Sequence, residues 1–338
     1  MTYIVFDTLK EYNDYTSNGT RLSSGVLYLV KENNGLFFLS NNFDGTLKVY
    51  EYFGGTPQAG YVELVNPYTS KYFGMVKAAK SVDIPDGVTT IDDNAFQGGM
   101  NLTSVTMPNS VTRIGDGAFS GCRSLTSVTM SDSVTYIGES AFNDCINLTS
   151  VTMSDSVTSI GESAFQSCSS LTSINIPDGV TYIGESAFND CSSLTSINIP
   201  DGVTSIGENT FYNCKKLTSV TFGNGIKTIG KSAFYACYGL TSINIPDGVT
   251  RIGSYAFNLC EGLTSLTIGT GVTSIGESAF MYCAHLESIT IKATTPPTLG
   301  SSALGISNCP IYVPAESVEL YREATNWSAY ADRIQAIS

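Results

Sequence analysis

The side chains best suited to chemistry recur at fixed spacing. Cys122, Cys145, Cys168, Cys191, Cys214, Cys237, Cys260 and Cys283 stand 23 residues apart, and Cys309 lies outside the row. Two carboxylate rows share the spacing: Asp86, Asp132, Asp155, Asp178, Asp201 and Asp247, then Glu139, Glu162, Glu185, Glu208 and Glu277. The one histidine, His285, sits two residues after Cys283. Thiols can pair, hold metal or attack as nucleophiles once ionised. Carboxylates in rows could gather Ca2+, and an unlike pair in a cleft could hydrolyse a glycoside. A Cys/His dyad would require Cys283 to be reachable.

Which of these is realised depends on the elements that carry them. Phenylalanines at 96, 119, 142, 165, 188, 211, 234, 257 and 280 keep the same step, and a Leu follows each by six residues. The unit reads L-T-S-[VI]-x-[IM]-P-D-G-V-T-x-I-G-E-S-A-F-x-x-C-x-x. Nine copies at a strict period mean stacked repeats. In Leu171–Ile176 apolar and polar residues alternate, which predicts a strand with one buried face. Pro177-Asp178-Gly179 turns the chain. Val180–Ile183 is a second short strand, and Gly184–Phe188 enters one helical turn, with Glu at the positive end of its dipole. One unit cannot bury about eight inward residues alone, so neighbours must stack, and nine units would make a rod about 40 Å long.

Stacking bears on the chemistry. Adjacent cysteines would stand about 5 Å apart, within disulfide range by distance, but parallel side chains suit the bridge dihedral poorly. Reduced buried thiols are the favoured reading, with disulfides and metal behind it; a 23-residue step is not a zinc spacing. The carboxylates recur in every unit, as turn and helix-start chemistry would have them, rather than forming one unlike pair. Ser104 through Ser288 are read as solvent-facing strand positions. Cys283 is expected to be buried by its repeat role, away from His285. No Gly-rich phosphate loop is present. We therefore expect no catalytic residue, no metal and no cofactor.

The period and the L-x-x-I-x-I string resemble a leucine-rich repeat. The usual Asn or Cys is replaced by Gly or Ser, as at Gly202, and the A-F-x-x-C and V-T-x-I-G strings resemble the BspA-like branch of that family. The resemblance covers roughly residues 80–292. It implies a right-handed, gently curved, mainly β repeat solenoid of 23-residue units, with short strands and one helical turn per unit. It also implies adhesion or protein binding at the surface of host-associated bacteria, without catalytic residues.

The flanks differ. Residues 1–77 form an expected small β-rich N-terminal module with strands at Tyr3–Phe6, Val26–Val30, Leu36–Leu39, Leu47–Tyr52 and Tyr61–Val65. Asn33-Asn34-Gly35 reads as a hairpin turn, and Asp44-Gly45 as a further turn. The strings Phe6–Tyr12 and Gly25–Lys31 resemble short N-terminal modules of phage and prophage fibre-type proteins. The plain reading is a β-cap over the solenoid's first edge. Residues 78–292 are the solenoid. Residues 293–338 are an α/β C-terminal cap in which the repeat motif has stopped, Thr294-Thr-Pro-Pro297 breaks the ladder, Ile311–Pro314 is the last strand, and Glu316 to about Thr325 is a helix. Val318, Tyr321 and Ala324 share its inner face, and Trp327, Tyr330 and Ile334 add cover.

Differences between repeats point to a contact surface. One outward stripe runs Thr90, Arg113, Tyr136, Ser159, Tyr182, Ser205, Thr228, Arg251, Ser274. A second stretch carries Tyr212, Lys215, Lys216, Tyr235, Tyr238 and Tyr282. Tyr and Arg are favoured interface anchors. The candidate binding residues are therefore Arg113, Tyr136, Tyr182, Arg251, Tyr212, Lys215, Lys216, Tyr235, Tyr238 and Tyr282, and the cysteine row is a structural ladder.

A net charge of −13 argues against nucleic acid as partner. No apolar run is long enough to span a membrane. The start, Met1–Asp7, lacks a basic region and a long apolar stretch, so no signal peptide is expected. The function expected is a non-enzymatic cell-adhesion or binding protein. It would recognise protein or surface glycan outside the cell, on a bacterial surface or a virion. The alternative is a structural phage fibre or assembly component docked, or self-associated, through residues 1–77.

Overall fold

The computed structural model describes residues 80–84, 88–305 and 308–337, together with the backbone strands Thr2–Phe6, Val26–Val30, Leu36–Ser40 and Thr46–Glu51. The expected strand Tyr61–Val65, the turn at Asp86 and most of the fibre-like strings lie outside the described residues. The chain forms two compact units, Met1–Val157 and Thr158–Ser338. The repeats described in each form a parallel β-solenoid of 23-residue turns.

In the first unit, Ser81–Asp83 pairs in parallel with Ser104–Thr106, and Ser127–Thr129 with Ser150–Thr152. A second ladder joins Thr90–Ile91, Arg113–Ile114 and Tyr136–Ile137. Partners are 23 residues apart, so like side chains stack on like, and Val105 and Val128 point inward between exposed neighbours. Ahead of the first turn, Leu36–Ser40 pairs antiparallel with Thr46–Glu51, which continues in parallel onto Ser81–Asp83. The turn expected at Asp44-Gly45 falls between these two strands and lies outside the described residues. Val26–Val30 pairs in parallel with Thr2–Phe6, and the turn expected at Asn33–Gly35 lies outside the described residues.

The second unit repeats this plan. One ladder joins Ser205–Ile206, Thr228–Ile229, Arg251–Ile252, Ser274–Ile275 and Thr298–Leu299. Another joins Ser242–Ile245, Ser265–Ile268 and Ser288–Ile291. No strand is assigned between Leu171 and Pro177, although Ile174 and Ile176 are buried as the alternation requires. The repeat motif ends after Ile291, but the ladder does not. Ile289 pairs with Ile311, and Ile311 with Ile334, so Ile334–Ala336, not Ile311–Val313, is the last strand. Backbone pairing needs only an extended segment of the right length, which an altered sequence still supplies.

The core is a column of phenylalanines. In the first unit Phe96, Phe119 and Phe142 stack at 5.2 and 5.3 Å between centroids. In the second, Phe165 through Phe280 stack at 5.0 to 5.5 Å. All nine rings are fully buried, and their near-parallel faces follow from repeating one rotamer at each rung. Buried Leu304 takes the place after Phe280, and in the cap Tyr321 and Trp327 meet edge to face at 4.8 Å. Tyr321 lies on the helix Val318–Glu323. Its hydroxyl donates to the Ala293 carbonyl, and the Trp327 indole donates to that of Pro297. Each ring thus satisfies a carbonyl left by the Thr294–Pro297 break.

Candidate functional site

Each helical turn is a run of hydrogen-bonded turns. In the unit containing Phe188, Ala187, Asn189 and Cys191 donate to the carbonyls of Gly184, Ser186 and Phe188. Alternate amides face the next rung: Ser186, Phe188 and Asp190 donate to Glu208, Thr210 and Tyr212. This alternation sets Ser186 and Asp190 in the left-handed region, at φ 55° and 59°, which Asp and Asn tolerate better than branched residues. Later units place bulkier Tyr255, Leu259 and Tyr282 there. The turn therefore presents its variable side chains outward on a rigidly bonded backbone.

The cysteines lie on the inner side of this turn. All nine are buried thiols. Cys122 and Cys145 donate through Sγ to the carbonyls of Phe96 and Phe119 at 3.1 and 3.2 Å. In the second unit Cys191, Cys214, Cys237, Cys260 and Cys283 do the same to Phe165, Phe188, Phe211, Phe234 and Phe257. Burial pushes the thiols of Cys122, Cys237 and Cys283 up to about 12 and raises Cys145, Cys191, Cys214 and Cys260 as well. These are neutral hydrogen-bond donors, the opposite of an activated nucleophile. His285 is exposed, with Nδ1 2.7 Å from the Glu261 carbonyl, and does not engage the thiol of Cys283.

Several carboxylates serve the neighbouring backbone. Asp201 accepts from the amide of Asn224 at 2.7 Å, Asp247 from Thr270 at 2.9 Å, and Asp116 from Glu139 at 2.9 Å. Among the described residues, no three His, Cys, Asp or Glu side chains gather as a metal site, and no helix is long and apolar enough to cross a membrane. Two threonine columns serve the backbone too. Thr195 and Thr218 donate their hydroxyls to the carbonyls of Thr172 and Thr195, and Thr250 and Thr273 to those of Lys227 and Thr250. These bonds were not legible from the repeat, because an exposed Thr in a strand reads as surface.

The candidate binding residues fall into separate groups. In the first unit Arg113 lies over the Tyr136 ring at 4.5 Å, with Asp93 at 3.6 Å and Asp116 at 3.9 Å. Both side chains thus spend part of their surface on each other. In the second unit Tyr182 is 54% exposed, and Arg251 is exposed three rungs further on, in a different sheet; the two do not meet. Tyr212 and Tyr235 stack face to face, 4.8 Å apart and within 2° of parallel. Partial burial, with Tyr235, Asp190 and Tyr238 beside it, raises the Tyr212 phenol. Tyr238 is exposed, as are Lys215 and Lys216 on the rung before it. Tyr282 is exposed two rungs beyond Tyr235.

Two further residues escaped the sequence reading. Lys231 occupies the column that holds Glu185 and Glu208, and Asn224 stands where Asp178 and Asp201 stand. With exposed Lys227, this leaves no acidic residue from 209 to 246, whereas residues 124–214 hold ten acidic residues and no basic one. Comparing charge column by column would have found it; overall net charge hides it.

A family model described as the BspA type leucine rich repeat region matches residues 69–195 and 181–309, in six copies. Among solved structures, a leucine rich repeat protein of T. pallidum is 28% identical, over 62% of this chain and 90% of that one, with a TM-score of 0.46. A leucine rich cell surface protein of Faecalibacterium prausnitzii is 26% identical, over 77% and 94%, with a TM-score of 0.35. The pneumococcal vaccine antigen PcpA is 17% identical, over 91% and 96%, with a TM-score of 0.39. No curated protein matches the chain significantly.

Proposed function

From the premise that the chain belongs to the BspA-type leucine-rich repeat family, we propose that it is a non-enzymatic binding protein, displaying its solenoid surface outside the cell to a protein or glycan. The observation that carries this is the cluster of Tyr212, Tyr235 and Tyr238 with Lys215 and Lys216. It gathers aromatic and basic side chains on a repeat whose outward positions are mostly Ser, Thr, Asn and carboxylates. Tyrosine supplies a large contact area with few rotors to freeze, and a hydroxyl for direction. The stacked pair is ordered before any ligand arrives, which lowers the entropic cost of binding.

In this reading residues 78–292 recognise the ligand, and 1–77 and 293–338 cover the ends. The pairing of Thr46–Glu51 with Ser81–Asp83 supports a covering role for the first segment over the alternative of a fibre-docking module. The test is an array of host proteins and glycans probed with the full chain and with Y212A/Y235A/Y238A. The proposal expects a saturable ligand whose affinity drops at least ~10-fold in the variant. Equal binding by the two proteins would remove this stretch as the recognition surface.

A further inference from the structure

The rungs between Glu208 and Pro246 reverse the charge that the repeat otherwise imposes. The usual unit carries an Asp at the turn and a Glu at the helix start. Here Asn224 and Lys231 take those places, and Lys215, Lys216 and Lys227 are added, giving four ammonium groups against the single carboxylate of Glu208. The lysines are spread around the unit: Lys227 just ahead of the strand Thr228–Ile229, with its Nζ beside Gly248, Lys231 at the start of the turn, Tyr235 and Tyr238 along it, and Lys215 and Lys216 on the adjoining rung.

Four of the bordering carboxylates have partners of their own, while Glu261, over Tyr238, is exposed. Glu208 accepts from Lys231 at 2.8 Å, Asp190 from the Asn213 amide, Asp201 from the backbone of Asn224 at 2.7 Å, and Asp247 from that of Thr270 at 2.9 Å. Lys215, Lys216 and Lys227 are exposed and form no ion pair among the described residues. Beyond about 8 Å, salt screens the acidic rungs from them. The phenols of Tyr212 and Tyr235, one rung apart, add neutral hydrogen-bond donors between the charges.

We propose that this basic arc binds a polyanionic polysaccharide bearing sulfate or uronate groups; the proposal rests on the reading above that the tyrosine stretch is the recognition surface. The arc spreads point charges and hydroxyl donors along a path, as an extended anionic chain requires. It lacks the apolar centre of a protein interface: of the large hydrophobic side chains that are exposed, Tyr238 alone lies on it. Release of the polyanion's counterions would drive association even to a chain of net charge −13.

The probe is heparin, titrated calorimetrically into the full chain, with dextran as the neutral control and polyglutamate as the acidic-protein arm. The proposal expects binding to heparin, none to dextran, and a log–log salt slope between about −2 and −4, set by the number of lysines engaged. K215E/K216E/K227E leaves the Lys231–Glu208 pair intact, and should weaken heparin at least ~10-fold at an unchanged melting temperature. Equal affinity in that variant, or no heparin binding at about 50 mM NaCl, overturns it. Polyglutamate binding as tightly as heparin overturns it in favour of an acidic protein. A salt-sensitive dimer in sedimentation, lost in the variant, overturns it in favour of a second copy docking its acidic rungs. A ligand from the array that depends on the tyrosines, with no heparin binding, sinks the polyanion alone and leaves the wider reading standing.

Discussion

Raising the pH should unfold this protein through its buried thiols. In the folded chain the thiols of Cys122, Cys237 and Cys283 titrate near 12, and those of Cys145, Cys191, Cys214 and Cys260 are also raised, against an ordinary value of 9.0. Desolvation is the first cause in each: ionisation would place a charge among phenylalanine rings. Because the folded values are raised, the stabilisation is complete below about pH 9 and is lost as the pH climbs toward about 12. At about pH 10 an unfolded thiol is mostly ionised and a buried one is not, which costs between about 1 and 2 kcal/mol per thiol. Seven such thiols together make on the order of 10 kcal/mol, comparable to the whole stability of an ordinary domain. Urea unfolding followed by near-ultraviolet circular dichroism, from about pH 8 to pH 10.5, should show flat stability at first and then a loss of several kcal/mol per pH unit. C214A/C237A/C260A starts less stable, but its slope above about pH 9 should be a little under half smaller. Stability unchanged to about pH 10, or an identical slope in the variant, would refute the argument that the ladder is a row of buried neutral thiols.

Two further outcomes test the core. Phe211→Ala removes a ring stacked 5.4 Å from Phe188 and 5.2 Å from Phe234, and should cost about 3 to 5 kcal/mol in urea unfolding; a loss below about 1 kcal/mol would mean the column repacks freely. Gly253→Ala sets a Cβ 2.6 Å from the Gly230 carbonyl carbon and 2.7 Å from the Lys231 nitrogen. Backbone cannot retreat as a side chain can, so a destabilisation of at least about 2 kcal/mol is expected, and an unchanged melting temperature would show that the rungs can slide apart.

Much of the fold was legible because copying turns a period into a position. Once Phe, Leu, Ile and Cys recur every 23 residues beside alternating polar residues, each becomes a column and only one face can be buried. Where copying ends, so does that legibility. The ladder continues through Ile311 and Ile334 although the motif has stopped, because backbone pairing reads length and extension rather than side chains. The candidate site was half legible. Tyr212 and Tyr235 stood out as departures from Asn and Gln in their column, but Lys231 passed as one more surface charge until its column was compared.

By itself the sequence determined the stacking: which residues repeat, how far apart they lie, and that Cys122 falls one turn after Gly99. Tertiary structure alone decided which atoms meet. The thiol of Cys122 reaches Phe96, 26 residues back rather than 23, because the left-handed residues of the turn swing a carbonyl of the lower rung beneath it. The hydroxyl of Thr218 closes on Thr195 rather than on water for a related reason: a strand carbonyl accepts a second hydrogen bond when a donor is held directly above it. Those offsets depend on the angles of each turn, and a period carries no information about angles.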